Sequence, residues 1–296
     1  MKLRVALTTL ALPATLALGG PVAPTYAAAA VCQGRPATIE GSVGTINGTD
    51  GDDVIVSTGA GTDVQARGGD DLVCVVGGTV YTGTGDDSVV STAPVGSQTI
   101  AYLSGGTDTY VGGAGSSDVI ADEITSFHVT MGSGGGTMEL FPTSTPGTGT
   151  VDFGASAGSL YAFGEARAEV DLSAQTASID GLLQVTTIGL RNATATGCKV
   201  RMKGDAKNNF LTAYGRDIVA SGGGGRDNLG RVGNGFDVEL ADCGRYKSVF
   251  RGQGGPDRLF GRRGDDVLIG GTGRDVANGA GGVDTCRAEV RKNCER

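Results

Sequence analysis

"GRRGDDVLIGGTGRDVANGAGGVDTC" (residues 261–286) states one pattern three times, with Gly261, Gly270 and Gly279 opening blocks of equal length. Aligned on its aspartates, this tail gives Asp257, Asp266, Asp275 and Asp284, each nine residues after the last, with Gly255, Gly264, Gly273 and Gly282 two residues ahead of them. Within each block a glycine-rich half precedes a short half such as "VLI" (267–269) or "RLF" (258–260), which suits a tight turn followed by a short strand. One such unit cannot bury its apolar residue alone. A stack of units can, so the period predicts a solenoid.

The nonapeptide resembles the GGxGxDxUx repeat of the hemolysin-type, or repeats-in-toxin (RTX), calcium-binding family. "GGTGRDVAN" (270–278) and "GRRGDDVLI" (261–269) sit on that pattern, with Ala277 a small residue where the family carries a large apolar one. The resemblance implies an all-β fold, a right-handed parallel β-helix or calcium β-roll solenoid, in which two nonapeptides make one coil. It therefore implies that Asp257 stacks on Asp275 and Asp266 on Asp284.

Strands in such a stack lie about 4.8 Å apart. Bare carboxylates at that spacing repel by roughly 1 kcal/mol in water and about 3 to 4 kcal/mol at an effective dielectric of 20. The column needs a cation. Calcium suits it, since it accepts about 6 to 8 oxygens at roughly 2.3 to 2.6 Å in forgiving geometry, and glycine turns offer carbonyls beside each carboxylate. The expected ligand positions in the tail are Asp257, Gly264, Asp265, Asp266, Gly273, Asp275, Gly282 and Asp284.

The pattern extends outward from this stretch in less regular form. "GTDGDDVIV" (48–56), "TGAGTDVQA" (58–66), "RGGDDLVCV" (67–75) and "TGTGDDSVV" (82–90) place Asp53, Asp63, Asp71 and Asp87 at intervals of ten, eight and sixteen, and a weaker copy surrounds Asp108. Nearer the tail, "YGRDIVA" (214–220), "GGGGRDNLG" (222–230) and "GNGFDVEL" (233–240) place Asp217, Asp227 and Asp237 ten apart. Asp53, Asp63, Asp71, Asp87, Asp217 and Asp227 join the candidate calcium ligands. Arg226 and Phe236 stand where the best calcium repeats carry Asn or Asp, and Asn208 and Asn209 stand where an acidic turn would be. Adjacent acids such as Asp265 and Asp266 should point apart in a strand-turn, which favours metal ligation over a paired-carboxylate hydrolase site.

Before these repeats, residues 1–30 have a basic start, an apolar run and a small-residue tail, and read as a secretory signal peptide cleaved between Ala27 and Ala30. The expectation is a secreted, extracellular protein. Residues 31–296 are then expected to form a single solenoid. It would comprise Gly-Asp repeats over 48–120, β-helix rungs without a clear metal motif over 121–203, the nonapeptide roll over 204–285 and a cap over 286–296. "FPTSTPGTGT" (141–150) is the one good candidate for a loop or rung insertion.

Composition bounds the function. The chain has 54 glycines in 296 residues, no Trp and 5% aromatics, so a conventional large core is not expected. The formal charge of −8 (24 basic against 32 acidic residues) should attract cations and repel nucleic acid, and no further apolar stretch is long enough for a membrane span. Six cysteines, with no CxxC among them, read as disulfides, for which nearest-neighbour pairing is favoured: Cys32 with Cys74, Cys198 with Cys243, Cys286 with Cys294. A helix would separate the last pair by about 12 Å, so "CRAEVRKNC" (286–294) must bend if it closes.

His128 is the only histidine, and alternation in "FHVTM" (127–131) places it opposite Phe127, Val129 and Met131, toward solvent. No nucleophile-histidine constellation or phosphate loop is present. A non-enzymatic calcium-binding protein is therefore expected. The alternative is a carbohydrate-active β-helix enzyme of lyase or epimerase type stabilised by calcium repeats, for which the central basic residues are few, chiefly Arg167 and Arg191.

Overall fold

Short runs rich in Val, Ile and Leu, each closed by glycine, leave a strand only four or so residues before the chain must turn, and every strand then needs a neighbour for its main-chain groups. In the computed structural model, which describes residues 29–154, 158–230 and 243–296, that neighbour is the next coil. The 1–30 segment other than its last two residues, and Asp237, lie outside the described residues. The fold is all-β, a solenoid of about 12 turns with no helix among the described residues. No helix there is long and apolar enough to cross a membrane.

The register shows the coil directly. Lys247–Gly254 lies parallel to Val267–Thr272, which lies parallel to Thr285–Arg287, so that Val249, Val267 and Thr285 are aligned at 18-residue steps. Two nonapeptides thus make one turn of the roll. Toward the N-terminus Val54 pairs with Leu72 and Leu72 with Ser88, the second step being two residues shorter.

One inward position runs nearly the whole length of the molecule. Ile46, Val64, Val80, Ala101, Val119 and Met138 stack in register, and the file continues through Leu160, Ala193, Leu211, Leu229 and Leu259 to Ala277. All are buried. The core is therefore a column of medium-sized side chains, which is how a chain with few aromatics covers its apolar surface. Ala277, the small residue of its repeat, ends the file one coil before the C-terminal cap.

Residues 121–203 depart from the expected parallel rungs in one place. Arg167–Asp171, Thr176–Ile179 and Leu183–Ile188 form an antiparallel meander inserted between parallel neighbours. Its cause is local. Asp180 and Gly181 adopt φ of 54° and 76°, an Asp-Gly reversal of the kind that closes hairpins. The Asp180 carboxylate also accepts the N–H groups of Glu165, Ala166 and Arg167, which pins the excursion to the solenoid. Of the proposed insertion at 141–150, only 141–146 lacks strand structure, and Gly147–Asp152 rejoins the sheet.

All three nearest-neighbour disulfides form, with Cα separations of 5.6 Å for Cys32–Cys74, 5.2 Å for Cys198–Cys243 and 5.9 Å for Cys286–Cys294. The last closes because two three-residue strands with a bend between them replace any helix.

Candidate metal centre

Each turn of the roll carries its aspartate inward. Asp257, Asp266, Asp275 and Asp284 are 0 to 1% exposed, although they belong to the polar half of the repeat. One carboxylate oxygen is committed to the backbone, since Oδ1 of each column residue accepts the main-chain N–H of the column residue one coil earlier. Asp227 donates to Asp257 (2.9 Å), Asp257 to Asp275 (2.9 Å) and Asp266 to Asp284 (2.8 Å). Asn209 opens the first column, donating to Asp227, and Ser248 opens the second, donating to Asp266.

The N-terminal coils build a third column of the same kind, in which Asp53 donates to Asp71, Asp71 to Asp87 and Asp87 to Asp108. The outer acids of the Asp-Asp pairs run a second ladder in the opposite sense. Asp52 accepts from Asp70, Asp70 from Asp86, and Asp265 from Val283. Adjacent acids do point apart, and Asp265 stands exposed outside the buried column.

The other carboxylate oxygen is the chemically informative one. Oδ2 of Asp71, Asp87, Asp227, Asp257, Asp275 and Asp284 is buried without a hydrogen-bond partner. An unpaired buried carboxylate costs several kcal/mol when ionised. Burial accordingly pushes the Asp87 carboxyl up to about 7, and those of Asp71, Asp227 and Asp257 up to about 6, with the charge of neighbouring aspartates adding to the effect. Asp266 and Asp284 shift upward for the same first reason.

The space around Oδ2 is a cradle that only glycine allows. A Cβ on Gly270 would lie 2.2 Å from Asp275 Oδ2, and one on Gly252 would lie 2.2 Å from Asp257 Oδ2 and 2.5 Å from the Gly270 carbonyl oxygen. Gly264, Gly273 and Gly282, with φ of 103°, 140° and 140°, bring successive turn carbonyls into file: a Cβ on Gly273 would meet Gly255 O at 2.1 Å, and one on Gly282 would meet Gly264 O at 2.0 Å. Among the described residues no three Asp, Glu, His or Cys side chains converge, so a cation here must draw most of its ligands from main-chain carbonyls. Orphaned carboxylate oxygens beside stacked carbonyls suit a hard, oxygen-seeking ion of flexible coordination such as calcium.

Not every expected ligand position belongs to a column. Asp63 lies outward on the strand Thr62–Gln65 and holds the Gln65 amide, because the turn before it is closed by a hydroxyl pair, Ser57 with Thr62 at 2.6 Å, and carries no carboxylate. Asp217 lies outward on Phe210–Gly224, where the chain rounds the corner as continuous strand. It pairs with Arg201 at 2.8 Å, and that guanidinium holds its carboxyl below the usual range.

Asp53 heads its column but is already satisfied by the Thr38 hydroxyl and by the Thr49 N–H and hydroxyl. Burial opposes its ionisation, yet these bonds together hold its carboxyl low. Asp108, raised to about 6 by burial, likewise receives the Thr82 hydroxyl on Oδ2. Neither Glu289 nor Glu295, which extend the two tail columns, stands out in the glycine-aspartate pattern. The only sequence sign of the first is that "EV" (289–290) repeats "DV" (275–276) without its turn.

A β-solenoid with buried, partly unpartnered carboxylate columns between glycine turns has the donor set of a repeat protein suited to hard cations. Residues 251–286 match the family model of the RTX calcium-binding nonapeptide repeat in four copies, so this segment carries hemolysin-type repeats. A search of curated proteins gave no match.

Proposed function

We propose that this is a secreted, non-enzymatic calcium-binding protein whose fold is completed by calcium along its aspartate columns. The observation that carries this is the orphaned Oδ2 on Asp71, Asp87, Asp227, Asp257, Asp275 and Asp284. When bound, calcium supplies the positive charge that these oxygens lack. The residues of the chain do the rest: Oδ1 fixes each carboxylate by its bond to the coil before, glycine leaves room for the carboxylate to fold back into its own turn, and the turn carbonyls stack within reach.

Export is supported by three disulfides in a chain whose first 30 residues read as a signal peptide. The absence of a catalytic role is supported by the burial of the column carboxylates and by His128, which is exposed on its strand and bonded to Thr150. Far-ultraviolet circular dichroism and melting of the purified protein test the reading. Calcium should raise strand signal and thermal midpoint relative to excess chelator, because binding to the folded state alone stabilises it. Superimposable melting curves would overturn it.

A further inference from the structure

We propose that residues 287–296 of the C-terminal cap form a cation-binding coil in their own right, with Glu289 and Glu295 as the carboxylates that complete sites begun by Asp275 and Asp284. This rests on the calcium reading above and extends it beyond the matched repeats, which end at residue 286.

The sequence runs out of aspartates after Asp284, yet both columns continue. The N–H of Asp275 is accepted by Glu289 Oε2 at 2.7 Å, and that of Asp284 by Glu295 Oε2 at 2.7 Å, the positions that the next aspartates hold elsewhere in the roll. The main chain follows the same plan. Val290 donates to the Asp275 carbonyl (3.0 Å) as Val276 does to Asp257 (2.9 Å), and Gly279 donates to the Lys292 carbonyl (3.0 Å) as Gly261 does to Asn278 (2.8 Å).

Even the turn carbonyl is reproduced. A Cβ on Gly261 would meet Gly279 O at 2.4 Å and Asp266 Oδ2 at 2.6 Å, whereas one on Gly279 would meet Asn293 O and Asp284 Oδ2, each at 2.2 Å. The Asn293 carbonyl therefore stands where a repeat glycine's carbonyl would.

Glutamate is needed because the path is short. The tail reaches the two columns 14 and 11 residues after Asp275 and Asp284, where a full coil takes 18, and the longer glutamate side chain lends this shortened path extra reach. Cys286, buried in the last full coil, is bonded to Cys294 eight residues on, which holds the short path in place. The independent sign of a ligand is that Asp275 and Asp284, wholly buried, each keep an unpartnered Oδ2, that of Asp284 close to the space the Asn293 carbonyl also borders. The donors are oxygens only, which selects a hard divalent ion over a thiol- or imidazole-seeking one.

The test is calcium titration calorimetry of the full chain, comparing wild type with Glu289→Gln/Glu295→Gln and with Cys286→Ala/Cys294→Ala. A glutamine oxygen still accepts the Asp275 and Asp284 N–H groups but removes the charge, so the cap keeps its bonds and loses its ligands. Both variants should lose calcium equivalents, or bind the weakest ones at least about tenfold less tightly, with the melting midpoint of the glutamine variant in chelator unchanged or raised. Unchanged stoichiometry and affinity would overturn the assignment, as would a glutamine variant destabilised in chelator with calcium binding intact, which would make the cap purely structural. Should the double glutamine variant not fold, Glu295→Gln alone alters one column and is judged by the same criteria. A wild type that binds no calcium would instead sink the broader reading.

Discussion

The main-chain N–H of Asp257 donates to Oδ1 of Asp275, 18 residues later, at 2.9 Å. Each carboxylate in the roll is thereby oriented by the coil before it, and its second oxygen is left facing its own turn.

Calcium and magnesium should differ. The cradle offers few carboxylates and many carbonyls, an arrangement that suits calcium's larger and more flexible shell, while magnesium demands a tight octahedron and releases water reluctantly. Melting at matched ionic strength should show a midpoint rise with calcium several-fold larger than with magnesium. Equal rises would mean that divalent charge merely screens the columns.

Stability without calcium should respond to pH in the reverse of the usual sense. Asp71, Asp87, Asp227 and Asp257 have carboxyls raised to about 6 or 7 by burial, against about 3.9 in an unfolded chain. Between those values the native state holds more protons than the unfolded one, so this contribution is complete below about pH 4 and is lost as pH rises through 6 to 7. In chelator the melting midpoint should rise on acidification from about pH 7.5 to about pH 5.5. Calcium should flatten or invert the trend. A chelated midpoint that falls over the same interval would contradict the buried, unpaired state of these carboxylates.

Asp257→Asn and Asp53→Asn should behave oppositely in chelator. Asparagine at 257 keeps an acceptor for the Asp227 N–H while removing an orphaned charge, so the chelated midpoint should rise and the calcium-dependent gain should shrink. At 53 the carboxylate accepts three hydrogen bonds from Thr38 and Thr49, and its loss should cost about 1 to 3 kcal/mol with or without calcium. Urea unfolding of both variants in each condition decides the matter. A loss at 257 that persists undiminished in chelator would make its carboxylate structural.

Gly270→Ala and Gly281→Ala separate the cradle from ordinary turn glycine. A Cβ at 270 would sit 2.2 Å from Asp275 Oδ2, whereas one at 281 would meet nothing within 4 Å, and neither residue needs a positive φ. Gly270→Ala should cost about 2 to 3 kcal/mol and weaken calcium binding, while Gly281→Ala should stay within about 0.5 kcal/mol. Urea midpoints and calcium titration measure both effects, and equal tolerance at the two positions would argue that the carboxylate does not occupy the turn.

What the sequence determined by itself was the period and its consequences. The nine-residue period calls for stacked turns, and the resemblance to the RTX repeat implied that two nonapeptides make one coil, which puts Asp257 on Asp275 and Asp266 on Asp284. Alternation sent His128 outward, and nearest-neighbour cysteines paired. The period and the alternation follow from local chain geometry repeated at fixed spacing, which needs no knowledge of what lies alongside.

Tertiary structure alone decided which carboxylates keep an unpartnered oxygen, because several of their partners, Thr38 and Arg201 among them, come from other coils. Asp53 and Asp71 sit in the same Gly-Asp-Asp context, yet Thr38 and Thr49 satisfy the first while the second keeps a bare oxygen. Asp63 and Asp217 match the pattern in sequence but lie on strands, where their side chains face outward to Gln65 and Arg201. The closing glutamates carry none of the repeat's glycines. Their place in the columns comes from a shortened, disulfide-held path, and a partner reached across a coil boundary leaves no mark in the spacing of residues along the chain.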